Sequence, residues 1–248
     1  MERGSNYRRI VFGILLILLS VFFYAIHFAL FRDAHHIFIY LVGDVAFVFI
    51  EVLLVTLIIH QVISEREKRV MLKKLNMVIG AFFSEVGTAL LHYFNAFDTN
   101  ADKISRHLII DQDWSQEHFS KVGDILKSRD YTIDVQKGDL SGLRNFLIEK
   151  RLFLLRLLEN PNLLEHEDFT ELLWAVFHLT EELSHRESVE GLADNDYKHL
   201  SGDIKRAYTL IMREWFEYVG HLRTKYPYLF SLAVRTNPFN PEASVEIK

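Results

Sequence analysis

Hydrophobic and polar positions divide the chain into two regions of different character. Residues 10–31 (IVFGILLILLSVFFYAIHFALF) contain no Asp, Glu, Lys or Arg, and residues 37–59 (IFIYLVGDVAFVFIEVLLVTLII) contain only Asp44 and Glu51. A helix spanning a bilayer needs about 20 predominantly apolar residues, so each run predicts a membrane span. The first run is longer than the apolar core of a signal peptide, lacks a small-x-small cleavage site and is followed closely by a second span, which argues for retention. The connection RDAHH, residues 32–36, has room only for an antiparallel hairpin.

The flanking charges set an expected orientation. Arg3, Arg8 and Arg9 precede the first span, and Arg66, Lys68, Arg69, Lys73 and Lys74 follow the second, whereas the loop carries only Arg32. The excess of basic residues on cytoplasmic flanks places both ends in the cytoplasm, so a multi-pass protein of the cell membrane with two spans is expected.

Beyond the spans the period becomes helical. Met71, Leu75, Val78, Phe82, Val86 and Ala89 recur at spacings of four and three, an apolar stripe on one helix face. No proline interrupts residues 37–97, and Gly80 and Gly87 cost only about 1 kcal/mol each against alanine. The second span is therefore expected to continue as one helix or two nearly collinear pieces. About 60 helical residues would reach ~90 Å. The stripe then calls for a partner helix, for instance from a second copy. Such a helix could also carry movement between the membrane and the domain below.

The remainder predicts short helices. Asp98 or Thr99 caps a segment ending near Ile110. Asp113 with Gln116 has the layout of a capping box opening a helix to about Arg129. DYTIDVQKGD is a loop, the one place for a small strand. LSGLRNFLIEKRLFLLRLLENPN is a helix stopped at Asn160–Pro161, followed by helices over roughly Glu165–Glu187 and Asp194–Lys225 and a short one from Pro227. The expected fold is all-α, a transmembrane hairpin continuing through a long helix into a cytosolic helical bundle. Its parts are a flank at 1–9, the hairpin at 10–62, a connecting helix at 63–97, the helical domain at 98–236 and a tail at 237–248; the aromatics Tyr226, Tyr228, Phe230 and Phe239 are expected to dock against the domain or a neighbouring subunit.

Composition narrows the function. Half the residues are hydrophobic and a quarter charged, values that coexist because the two classes are segregated. The absence of cysteine removes disulfides and thiolate metal sites. A net charge of −5 with no basic stripe argues against a nucleic-acid partner. No phosphate-binding, dinucleotide, nucleophile-elbow or zinc-protease motif is present. DTNADKISRHLI starts like a calcium loop but has Lys103 in place of the glycine and Ile109 in place of the last glutamate. No catalytic residue, cofactor or metal site is assigned, and the expected protein is not an enzyme.

Asp44 and Glu51 carry the chemistry of the second span. They are seven residues apart and share a helix face with Phe47 or Val48, Val55 and Ile58. A charge at mid-bilayer costs at least about 2.5 kcal/mol, so neither acid is expected to face lipid. Either they line a cation pathway, stacked as acidic rings in a homo-oligomer, or they pack against a neighbouring helix. His27 of the first span is a possible proton or metal partner of Asp44, or an interfacial histidine in the aromatic belt. In HLTEELSH, His178, Glu182 and His185 share one face with Glu171, and Glu182-x-x-His185 has the spacing that di-iron bundles use. Such a site needs ligands on a second helix, and the candidates Glu85 with His92 and Glu217 with His221 do not repeat the spacing, so a solvated face is the simpler reading. The expected function is a homo-oligomeric cation channel with the bilayer, further copies and cations as partners. The alternative is a membrane-anchored sensor or scaffold whose cytosolic bundle binds a partner or ligand.

Overall fold

The computed structural model describes residues 2–246 apart from 112, 162, 164 and 165, with side chains at 2–7, 9, 69 and 72 also outside the description. The side chains of Arg3, Arg9 and Arg69, used above for orientation, thus lie outside the described residues, as does Glu165. The chain forms two compact units, residues 1–68 and 69–248. Among the described residues it is all-helical, with one isolated antiparallel bridge between Asp98 and Ile133.

The first unit contains α1 (Glu2–Phe31) and the N-terminal part of α2 (Ala34–Phe82). Arg32 has φ 53°, the left-handed geometry that ends a helix, and its N–H donates to the carbonyl of Phe28 at 2.9 Å. Asp33 then accepts the N–H of His36 at 3.1 Å and opens α2. Both helices are long and apolar enough to cross a membrane. Their apolar side chains are exposed, with Leu30 and Phe49 above 70%. Nothing else in the described chain covers these apolar faces.

The second unit buries its own core. The stripe of α2 ends inside it: Leu75, Ile79, Phe82 and Val86 are buried, with Met71 and Val78 packed at the margin. The partner helices that the stripe calls for are supplied by the same chain. Phe82 meets Phe169 edge-on at 5.4 Å, and Phe83 stacks on Tyr218 at 5.2 Å. The unit boundary between Lys68 and Arg69 falls inside the segment 63–97 read from sequence as a separate connector.

The long helix is interrupted where it enters this core. Phe83–Gly87 forms a π-helical turn before α3 (Thr88–Phe97), with the N–H of Thr88 donating to the carbonyl of Phe83. The Thr88 hydroxyl donates to the same carbonyl at 2.8 Å. The widened turn lets the successive rings of Phe82 and Phe83 serve two neighbours, Phe169 and Tyr218.

α4 (Ala101–Leu108) and α5 (Gln116–Ser128) start differently from the sequence reading. Asp98 caps no helix; it accepts the N–H of Asn100 at 2.9 Å in the turn after α3. Ser115, not Asp113, caps α5, accepting from His118 N–H at 3.1 Å. The loop read as DYTIDVQKGD is clipped to the end of α3 by Asp134 N–H to Phe97 O and Thr99 N–H to Thr132 O, both 2.9 Å. α6 (Leu140–Leu158) is capped by Asp139. It packs on α7 (Glu167–Ser184), which packs in turn on α8 (Asp194–Lys225). α9 (Pro227–Arg235) folds back on α8. The start of the expected tail is part of the core: Asn237 is buried and donates to Leu108 O at 2.6 Å, and Phe239 packs edge-on against Trp215.

Candidate functional sites

In the first unit, the reversal at Arg32 brings His27 and Asp44 to one cavity of about 540 Å³, which Ser20, Phe23, Tyr24, His36, Ile37 and Tyr40 also line. His27 stacks on His36 at 5.8 Å, and His36 meets Tyr40 edge-on at 4.6 Å. His27 Nδ1 is buried without a hydrogen-bond partner. Phe47, Val48, Glu51, Val55 and Ile58 lie outside the cavity and are exposed.

In the second unit, α7 and α8 bring together four ionisable side chains that sequence reading only half found. His178 and Glu182 stand one turn apart on α7, His199 and Asp203 one turn apart on α8. His178 Nε2 lies 3.5 Å from Asp203 Oδ2, and His199 Nε2 lies 3.3 Å from the same oxygen and 3.9 Å from Glu182 Oε2. His178 meets Asp203 while Glu182 meets His199, so the two helices run antiparallel here. Each contributes a histidine followed four residues later by an acid, in HLTEE and HLSGD. That repeated spacing was the available signal for His199 and Asp203.

The surroundings hold this cluster in place. Asp203 is 6% exposed, and its Oδ2 is buried yet accepts no hydrogen bond. Arg186 reaches Asp196 at 3.0 Å and Glu182 at 3.4 Å. Arg144 of α6 donates to the carbonyls of Leu183 and Arg186 at 3.0 and 2.9 Å, fixing the end of α7. His185, third member of the sequence-derived face, turns away: its Nδ1 lies 2.8 Å from the carbonyl of Glu181. The other proposed partners are elsewhere, Glu85 beside Lys150 at 3.5 Å and His221 against Tyr226. His178, Glu182 and His199 are placed so that one cation could contact all three.

Glu171 belongs to a different place on the same helix pair. With Asp168, Glu214 and Glu217 it lines a cavity of about 250 Å³, together with Lys127, Leu210 and Arg213. Glu214 is buried, and that burial, reinforced by Glu217 and Asp168, pushes its carboxyl up to about 8.

Comparison with known proteins divides the chain near the same boundary. Residues 4–63 match a family model described as MJ1433, N-terminal helical domain, and residues 71–235 match one described as Uncharacterized protein MJ1433, C-terminal helical domain. A relative from Methanocaldococcus jannaschii, Uncharacterized protein MJ1433, is 44% identical over 236 residues, 95% of either chain. No solved structure matches. The chain, carrying both helical domains, belongs to the MJ1433 family.

Proposed function

We propose that the protein is a membrane-anchored sensor or scaffold: residues 10–59 form a two-span hairpin with both ends in the cytoplasm, and the second unit binds a ligand there. The contrast between the units supports this most directly. The first leaves its apolar side chains uncovered, whereas the second closes a core of its own and sets a His–carboxylate cluster at its surface. Bare apolar helices of this length are covered by lipid at no cost to backbone hydrogen bonding. The chain lacks cysteine, which makes topology directly measurable. Single cysteines introduced at Ala34 and Ser64 should react with a membrane-impermeant thiol reagent from opposite sides, Ala34 from outside and Ser64 from the cytoplasm. Labelling of both from one side defeats the hairpin.

A cation pathway in a homo-oligomer is the second reading, favoured by Asp44 sharing a cavity with His27 in an otherwise apolar segment. A polar pair there fits a proton or cation relay better than a plain anchor. In liposomes, Asp44→Asn and Glu51→Gln should each reduce cation flux while the oligomer persists. Full flux in the double variant rules out acidic rings, and a monomeric parent without flux leaves only the anchor.

A further inference from the structure

We infer that His178, Glu182, His199 and Asp203 bind a first-row divalent transition metal such as zinc between α7 and α8. This deepens the ligand-binding half of the proposal above, whose membrane half it does not need.

The distances are those of ligands sharing an ion. With metal–ligand bonds of ~2.0–2.1 Å, two ligand atoms of a tetrahedral site stand about 3.3 Å apart. His199 Nε2 and His178 Nε2 stand 3.3 and 3.5 Å from Asp203 Oδ2. Glu182 Oε2, at 3.9 Å from His199 Nε2, shares with the two imidazoles a position that one cation could contact.

An ordinary ion pair explains the cluster less well. A buried carboxylate oxygen is costly to desolvate unless it is paired or hydrogen-bonded. Asp203 Oδ2 has two imidazoles within reach and accepts a hydrogen bond from neither. Two nitrogens at 3.3 and 3.5 Å from one oxygen, neither hydrogen-bonded to it, suit an ion held among the three.

The donor set selects the class of ion. Two imidazole nitrogens with two carboxylates suit zinc, cobalt or nickel, whereas calcium takes six to eight oxygens and magnesium keeps much of its water. His178 and His199 are about half exposed, so the ion can exchange with solution. Recruiting Glu182 also draws its Oε2 from Arg186, which keeps Asp196. Binding thus joins two helices and loosens one contact at the α7 end.

The test uses the full chain, purified in detergent without a histidine tag and stripped with chelator. Titration with zinc, and cobalt absorption as a readout of coordination, should give one site per chain. His199→Ala and Asp203→Asn should each weaken zinc binding by at least about tenfold, since even residues supporting a ligand from behind change affinity by 10–100-fold. His185→Ala should bind as the parent does. His178→Ala is the further exposed-ligand variant should Asp203→Asn fail to fold, with circular dichroism reporting the fold. The site is overturned if the parent takes up no stoichiometric zinc, if His199→Ala binds unchanged, if His185→Ala is equally impaired, or if millimolar magnesium displaces zinc. Thiol labelling at Ala34 and Ser64 is read separately, so a failed metal site and a failed hairpin give different results.

Discussion

Tyr208 of α8 donates its phenol O–H to the side-chain carbonyl of Asn95 on α3 at 3.2 Å, joining elements 113 residues apart. The Tyr208 ring has no solvent exposure, and burial holds its ionisation far above that of a free tyrosine. It packs against Phe94 at 6.0 Å and Tyr131 at 4.8 Å. Asn95→Ala leaves the buried hydroxyl without a partner and should cost about 1–3 kcal/mol. Tyr208→Phe removes the hydroxyl itself and leaves a half-buried amide that water can reach, so its cost should be smaller. Urea denaturation of the two variants checks that order.

The π-helical turn gives a second prediction. A Cβ at Gly87 would stand 2.5 Å from Phe83 Cδ1 and 2.9 Å from Phe82 Cε1, both on rings fixed in the core. Gly87→Ala should therefore destabilise the domain by about 1–3 kcal/mol through overpacking. This exceeds the gain of about 1 kcal/mol that alanine offers over glycine in an open helix. A higher melting temperature in Gly87→Ala would show that the rings move aside.

Glu214 makes stability depend on pH. Its carboxyl lies at about 8 in the fold against an ordinary 4.5. Between those values the folded state holds a proton that the unfolded state has released, so stability falls as pH rises. The slope is at most about 1.4 kcal/mol per pH unit, is absent below the lower value and levels off above the upper one. Asp168, Glu171, Glu217, Lys127 and Arg213 line the same cavity. Glu214→Gln, neutral throughout, should lose less stability than the parent between about pH 5 and pH 8. Parallel losses in the two proteins would mean that Glu214 is not the group responsible.

A metal held between α7 and α8 should also stabilise the fold that presents it. At a free concentration of about 100 times Kd, zinc should add about 2.7 kcal/mol to the unfolding free energy of the parent. His178→Ala combined with His199→Ala should abolish the increment without lowering stability in chelator by more than about 0.5 kcal/mol, since both imidazoles are half exposed. Thermal melts with and without zinc measure both.

Local signals were legible in the sequence. Asn160–Pro161 ends α6 and Pro227 opens α9 because proline constrains its own backbone and its predecessor wherever it stands. The expected span of α8, roughly Asp194–Lys225, is the one found. Caps were less legible: Asp113 and Ser115 are both acceptors, and Trp114, packed on Phe119 at 5.2 Å, ties the choice to tertiary packing. The π-helical turn was invisible for a related reason. Nothing in FFSEVG marks it; it follows from Phe82 and Phe83 finding Phe169 and Tyr218. In the candidate site, HLTEE and HLSGD carry the same spacing, but spacing within one helix does not say which helix lies opposite.

The π-helical turn at Phe83–Gly87 has a further consequence, for chain length. Hydrogen bonding five residues back, instead of four, accommodates one residue more than an α-helical turn does. Removing one residue there, with exposed Ser84 the least costly choice, should let the backbone close into regular α-helix while α2 and α3 keep their facing. The same deletion at Ile79, within regular helix, would turn every later side chain by about 100° relative to the earlier ones, taking Phe94 and Phe97 off the core. Within the second unit, Phe83–Gly87 is thus a stretch of this helix where the loss of a single codon is compatible with the fold.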